Sequence, residues 1–222
     1  MSDAITYALL DEKYAQELEA LELSVFDTIN PSDLYHADEL RRLARAFPEG
    51  NFVALDGERP VGMGLGILVE FDFDQPNHSI SDITGDDGVS AHSSENPWYY
   101  GTDISVRLEY RGRGIGTQLY DLRKECVGVL NKKGIVAGGV LPGYAERIGE
   151  MSADEYVERV ARGDLYDPTL TFQLKNGFEA LGAIPNYLND PSVGNWSILI
   201  VWENPNYIPK TDPTSASTSS QM

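Results

Sequence analysis

The run Arg111-Gly112-Arg113-Gly114-Ile115-Gly116-Thr117 sets three glycines at alternate positions, just after the residues Ile104, Ser105 and Val106 of an apolar, β-branched stretch. A strand that feeds a glycine-rich turn and then a helix aims several backbone N–H groups at one point, and the helix dipole favours an anion there. The chemistry implied is phosphate binding. Spacing narrows the kind of phosphate. No Gly-Lys-Ser/Thr follows, which excludes the loop that cradles nucleoside triphosphates. The glycines at 112, 114 and 116 do not fit the dinucleotide fingerprint either, and no acidic residue stands where a ribose would need one.

The elements around this turn can be read from periodicity. Residues 5–10 form a first strand. A helix beginning at Asp11 puts Tyr14, Leu18 and Leu21 on one face, and Pro31-Ser32-Asp33 opens a second with Leu40, Leu43, Ala44 and Phe47, stopped by Pro48-Glu49-Gly50. Residues 51–55 and 61–71 read as a hairpin. Residues 72–97 then lose all period and read as a solvated polar insert. It holds His78, His92, Asp82, Asp86 and Asp87, but their spacing matches no ligand motif, and no metal is expected. Residues 98–106 are the strand that enters the turn. Past the turn Ile115, Leu119, Leu122, Cys126 and Leu130 mark a buried helical stripe, and residues 135–140 a short strand, together a βαβ unit or a splayed form of one. Ser152-Ala153-Asp154-Glu155 caps a later helix and Asp167-Pro168 starts another. Strands over 178–184 and 196–202 close the domain, which is expected over residues 1–208. A disordered tail is expected over 209–222.

The chain has 222 residues, and 17 basic against 35 acidic residues give it a net charge of −18 and a pI near 4.4. Such a surface repels nucleic acid and anionic membranes and favours cationic partners. One cysteine, Cys126, excludes an intrachain disulfide and a cysteine-based metal site. The start of the chain lacks the blocks of a signal peptide, and the longest apolar run, residues 61–69, is too short to span a bilayer. A cytoplasmic location follows as the expectation. Association into a homodimer is left open.

Arg111, Gly114 and Gly116 fall on the Arg/Gln-x-x-Gly-x-Gly/Ala signature, and the turn resembles that of the GNAT family of N-acetyltransferases. The order of elements, with Asn176-Gly177-Phe178 leading into the sixth strand, is similar too. The resemblance implies a single α/β domain with a mixed, mostly antiparallel central sheet flanked by helices. It implies acetyl-CoA as cosubstrate. Arg111 through Thr117 would hold its pyrophosphate, and Ile104, Ser105 and Val106 would pair with its pantetheine arm. A narrower resemblance rests on Leu141-Pro142-Gly143-Tyr144, on residues 151–157 and 165–174, and on Pro185-Asn186-Tyr187-Leu188. These look like the acetyltransferase domain that precedes a nitrilase-like carbon–nitrogen hydrolase domain in some bacterial fusions, with this chain a stand-alone relative.

Membership implies direct attack of an amine on the thioester, the acceptor being a small molecule or protein amine and most readily a cationic one. Many members carry a tyrosine four residues ahead of the Gly-Phe pair to protonate the departing thiolate; here Gln173 stands there. Tyr166 and Tyr144 are the alternatives for that acid. For the base, Asp103 lies on the motif strand opposite Ile104, and Tyr100 shares the face of Ile104 if the strand is regular, at a place where some members carry glutamate. Glu70 and Asp27 would shape an acceptor pocket or are surface charge. Gln173 also leaves a second reading, a CoA-binding module that regulates or scaffolds without catalysis.

Overall fold

The computed structural model describes residues 4–85 and 87–209. Among them a seven-stranded sheet runs in the order β1-β2-β3-β4-β5-β7-β6. The strands are β1 (Thr6–Leu9), β2 (Phe52–Asp56), β3 (Arg59–Val69), β4 (Trp98–Val106), β5 (Gly134–Val140), β6 (Glu179–Pro185) and β7 (Trp196–Glu203). Every neighbouring pair is antiparallel except β4 and β5.

Two irregularities in the middle of this sheet create the site. The first is a bulge. Leu65 of β3 pairs with Asp103 of β4, and the next residue, Gly66, pairs with Gly101, so Thr102 has no partner in β3. A bulge turns the rest of its strand by one residue. The Leu65 carbonyl accepts from the guanidinium of Arg123 (2.6 Å), and the Gly66 N–H donates to the Asn51 side chain (2.8 Å). Both groups therefore find side-chain partners where the ladder is interrupted. The second irregularity is a splay. β4 and β5 pair only from Trp98↔Gly134 to Gly101↔Ala137. Beyond that β5 stays with β7 as far as Val140, and residues 102–106 of β4 have no neighbour on that side.

Helices cover both faces. The α1 (Ala15–Val25) and α2 (Ala37–Ala46) helices bury Leu18, Leu21, Leu40 and Leu43 on one face, against Met63, Leu65 and Ile67 of β3 and Tyr100 of β4. On the opposite face lie α4 (Ile115–Val129), α5 (Ala153–Ala161) and α6 (Leu170–Lys175), with Ile115, Leu119, Val157 and Leu170 packed beside Tyr99. The expected stripe of α4 is kept in Ile115, Leu119 and Cys126. It also includes Arg123, which is 1% exposed. Two glycines of the facing strands make room for it, since a Cβ at Gly64 or Gly101 would lie 3.3 or 3.2 Å from the Arg123 side chain; Gly66 makes room for Tyr99 instead.

Two expectations from the sequence need correction. Pro31–Asp33 makes only one 3₁₀ turn, capped by Asn30, after which Leu34 is extended and α2 starts at Ala37. The carboxylate of Glu39 accepts from the His36 N–H at 2.8 Å, so the start signal lies there. The insert is not a structureless excursion. Ser79 and Asp82 cap each other reciprocally and start the one-turn helix α3 (Ile80–Thr84), whose Ile80 and Ile83 pack on the face of α1 and α2. His92 accepts from the Leu68 N–H (3.1 Å) and stacks on Phe47 at 4.7 Å between centroids. One helical turn is too short to show a period. Asp86 and residues 210–222 of the expected tail lie outside the described residues.

Asp167 confirms its role as a start signal and adds another. One carboxylate oxygen accepts from the N–H groups of Thr169 (2.9 Å) and Leu170 (2.8 Å), and the other from Gly143 N–H and the Tyr156 hydroxyl, both 3.0 Å. It joins the loop after β5, α5 and α6 at a fully buried point. Asp167→Ala is expected to lower stability by roughly 3 kcal/mol, because several donors lose a charged acceptor at once. The midpoint of urea unfolding measures this.

Candidate active site

Gly112 and Gly114 have φ of 73° and 79°, in the left-handed region, and a Cβ on either would meet nothing within 4 Å. Open space thus faces the start of α4. The helix's first hydrogen bond from the turn runs from Gln118 N–H to Gly114 O at 3.1 Å, so the N–H groups of Ile115, Gly116 and Thr117 precede the ladder. An anion can use all three. Residues 111–114 and Thr117 are exposed, whereas the Ile115 side chain is buried beside Gly62 and contributes only its backbone. Gly116 serves another purpose. A Cβ there would lie 2.8 Å from the ring of Phe172, so this glycine lets α6 close on α4. The Arg111 guanidinium folds back to the Val106 carbonyl (3.3 Å), and that of Arg113 lies 5.0 Å from the centre of the Tyr110 ring.

From this turn the unpaired edge of β4 leads inward past Val106, Ser105 and Ile104. Polar backbone on a strand that has lost its neighbour is a template for an extended chain carrying amides. A phosphate cradle at one end and a bare strand edge at the other together fit a pyrophosphate joined to a pantetheine arm.

The inner end of the wedge is acidic. Asp103 is 8% exposed and accepts from the Ser105 hydroxyl at 3.0 Å. Glu22 of α1 is 3% exposed, and its Oε2 has no hydrogen-bond partner. Neither carboxylate joins a salt bridge among the described residues. Burial pushes the Asp103 carboxyl up to about 6 and that of Glu22 well above the ordinary range, with the charge of Asp103 adding to the effect on Glu22. Ser105 and the Arg123 guanidinium favour the ionised form of Asp103. Glu22 has only a backbone bond from Tyr35 in its favour. The pair therefore loses its protons in two steps, Asp103 first. Tyr35 completes the group by donating to the Thr102 hydroxyl at the bulge (2.8 Å).

The bulge also corrects the expected faces of β4. Tyr100 pairs across from Ile67 and Asp103 from Leu65, and both Ile67 and Leu65 belong to the core under α1 and α2. Tyr100 and Asp103 thus share one face. Ile104 lies on the other, packed toward α4. Asp103 is opposite Ile104 as expected; Tyr100 does not share its face. Glu70 and Asp27 are exposed, and Glu22 is the acid of this region that points inward. Its position one turn after Leu18, in a stripe with Leu21, is a sequence signal for it.

Tyr166 is not gathered into this group. It is 70% exposed and borders a surface cavity of about 490 Å³ with Pro142, Arg147 and Leu165. Tyr144 is buried and donates to the Met151 carbonyl at 3.0 Å, which commits its proton to packing. Gln173 is 4% exposed on α6, beside Gly139 of the splayed half of β5. Its Oε1 has no hydrogen-bond partner. Cys126 is buried and burial raises its thiol to about 12, so it is a packing residue.

A sheet splayed beside a glycine turn at a helix N-terminus is the arrangement that the resemblance to the GNAT family implies, and the comparisons agree on the family. The sequence model of the acetyltransferase (GNAT) family matches residues 13–126. The uncharacterized N-acetyltransferase YkwB of Bacillus subtilis is 31% identical over 91% of this chain and 90% of its own length. The probable hydrolase YhcX of the same organism is 35% identical over 90% of this chain, which spans 39% of that protein. Among solved structures, the loading GNATL domain of CurA from Lyngbya majuscula has a TM-score of 0.78 at 16% identity, covering 91% of this chain and 98% of that one. The GphF GNAT-like decarboxylase in complex with isobutyryl-CoA has 0.72 at 18%, covering 91% and 100%. These two likenesses are of fold. This chain belongs to the acetyltransferase (GNAT) family. Among the described residues no helix is long and apolar enough to cross a membrane.

Proposed function

We propose that the protein moves the acetyl group of acetyl-CoA onto the amino group of a cationic amine, by direct attack, in the wedge between β4 and β5. The observation that carries this reading is the order along β4: the open Gly112–Gly114 turn, the edge of residues 104–106 with no pairing to β5, and the buried carboxylates of Asp103 and, from α1, Glu22. Gly112, Arg113, Gly114 and the N–H groups of residues 115–117 hold the pyrophosphate, and Ile104, Ser105 and Val106 lie along the arm. Burying two carboxylates costs several kcal/mol unless a cation compensates. An acceptor's ammonium is such a cation, and Glu22 Oε2 offers it a free acceptor atom.

An alkylammonium with a pKa near 10.4 needs roughly 4–5 kcal/mol to free its lone pair at pH 7. Holding it against the thioester supplies about 7–11 kcal/mol, and a base adds about 10²–10⁴-fold. Positioning is therefore the larger contribution. Asp103, ionised near neutrality, orients the nitrogen and draws one of the two protons that an ammonium sheds on becoming an amide, the one that leaves with the thiolate.

A panel of amines, from simple diamines to a lysine peptide, incubated with acetyl-CoA and followed by thiol release and by mass of the product, tests this. Cationic amines should gain 42 Da on nitrogen, the mass of one acetyl group replacing hydrogen, a figure fixed at about that value by stoichiometry whatever the acceptor. Turnover confined to neutral or anionic acceptors would sink the cationic reading.

A further inference from the structure

The insert delivers one side chain into this region that the transfer chemistry has not yet used. The Nδ1 of His78 lies 2.7 Å from the Pro76 carbonyl, and its Nε2 lies 2.6 Å from the hydroxyl of Tyr100. A carbonyl can only accept, so Nδ1 carries the hydrogen. Nε2 is then the acceptor, and Tyr100 donates to it. The neutral tautomer is fixed by its neighbours.

Where that hydroxyl sits matters as much. Tyr100 is fully buried, on the same face of β4 as Asp103, with the ring of Tyr187 tilted beside it at 6.5 Å between centroids. Tyr100 pairs with Val136, one place before the last pair of β4 with β5, so it stands at the inner end of the wedge. The ring of His78 is half-buried, edge-on to Phe71, Tyr100 and Tyr187, with centroids 5.5 Å from each. The insert is held over this place by a bond from Ile80 N–H to the Tyr187 carbonyl at 2.9 Å. A surface cavity of about 180 Å³ opens beside it, lined by Asp33, Ser79, Ile80, Tyr187 and Asn189.

We infer that His78, acting through the Tyr100 hydroxyl, is the base that takes the proton which the acceptor amine must release to solvent. The inference rests on the amine-acetylation reading above. An ammonium that becomes an amide sheds two protons. As the C–N bond forms and the C–S bond breaks, one of them leaves with the thiolate as the free thiol. The other passes to the Tyr100 oxygen while the proton of Tyr100 moves to His78 Nε2, giving an imidazolium whose Nδ1–H stays on Pro76. His78, half-buried and so within reach of solvent, returns that proton to water. Tyr100 touches the reacting nitrogen, and His78 acts through it.

Burial lowers the pKa of His78, which keeps it neutral and ready to accept at pH 7. The titratable groups that face it are Tyr100 from β4, Tyr187 from the connection after β6 and Asp82 from α3, with Tyr35, Glu22 and Asp103 behind Tyr100. Asp103 also titrates near 6, so His78 must be separated from it by experiment.

His78→Gln and Tyr100→Phe, measured with acetyl-CoA and the best amine of the panel, provide the test. Both should lower kcat about 10²-fold or more and leave KM for acetyl-CoA unchanged. Loss of activity at low pH should persist in His78→Gln only with the midpoint of Asp103, and Asp103→Asn should leave the midpoint of His78. The chain has three histidines, so the ring protons of His78 can be assigned by NMR through the His78→Gln spectrum. In wild type they should titrate below the ordinary histidine range, and Tyr100→Phe should shift that titration. A His78→Gln enzyme with wild-type kcat and both acid limbs overturns the inference while leaving amine acetylation intact. Wild type that acetylates no amine, with His78 titrating as described, removes the reading on which the inference rests.

Discussion

Gly114→Val is expected to weaken acetyl-CoA binding by at least two orders of magnitude with little loss of fold. The residue has a φ of 79° and no atom within 4 Å of a would-be Cβ, so valine forces a left-handed conformation and fills the space before the helix N-terminus. The conformational cost is roughly 1–2 kcal/mol. The steric cost falls on the ligand, because that space is where oxygen atoms must reach the N–H groups of residues 115–117. Gly116→Ala gives the opposite pattern. Its Cβ would push into Phe172 at 2.8 Å, so the variant should melt earlier while keeping most of its affinity for CoA. Calorimetric titration with acetyl-CoA, paired with thermal melts of the two variants, separates a ligand glycine from a packing glycine. Equal affinity in wild type and Gly114→Val would mean that the pyrophosphate lies elsewhere.

Asp103→Asn is expected to lose about 10²–10⁴-fold in kcat and yet to be more stable than wild type at pH 8. In the folded state burial raises the Asp103 carboxyl from 3.8 to about 6. The folded protein thus binds this proton more tightly than the unfolded chain does. Its contribution to stability is full below pH 4, falls as pH rises to 6 and stays lost above that. Two pK units correspond to about 3 kcal/mol, reduced in the variant by a changed bond to Ser105. Denaturant midpoints at pH 4.5 and pH 8 should therefore converge in Asp103→Asn. A variant less stable than wild type at both pH values would show that Asp103 supports the fold rather than being carried at a cost for chemistry.

Much of this was written plainly in the sequence. The alternate glycines, the β-branched strand before them and the order of elements specify the wedge, because each rests on local chemistry that periodicity reports. What periodicity conceals is a slip of one residue. Thr102 at the bulge moves Tyr100 from the face of Ile104 to that of Asp103, and nothing in an alternating strand marks it. Glu22 and Arg123 stand within apolar stripes of α1 and α4, where residue type argues for solvent and position argues for the core. Position wins in both, since a bulged ladder and a polar pocket give their charges partners or uses. His78 is hidden for a third reason. Its segment is ordered by Asx-type caps, single bonds and ring contacts, none of which repeats along the chain.

The central claim is that the turn at residues 112–116 and the bare edge of β4 hold acetyl-CoA. Calorimetric titration of wild type and Gly114→Val with acetyl-CoA tests it most directly. Saturable, one-to-one binding by wild type that disappears in the variant is the predicted result. Heat of binding that is absent from wild type at millimolar ligand, or identical in both proteins, would contradict it.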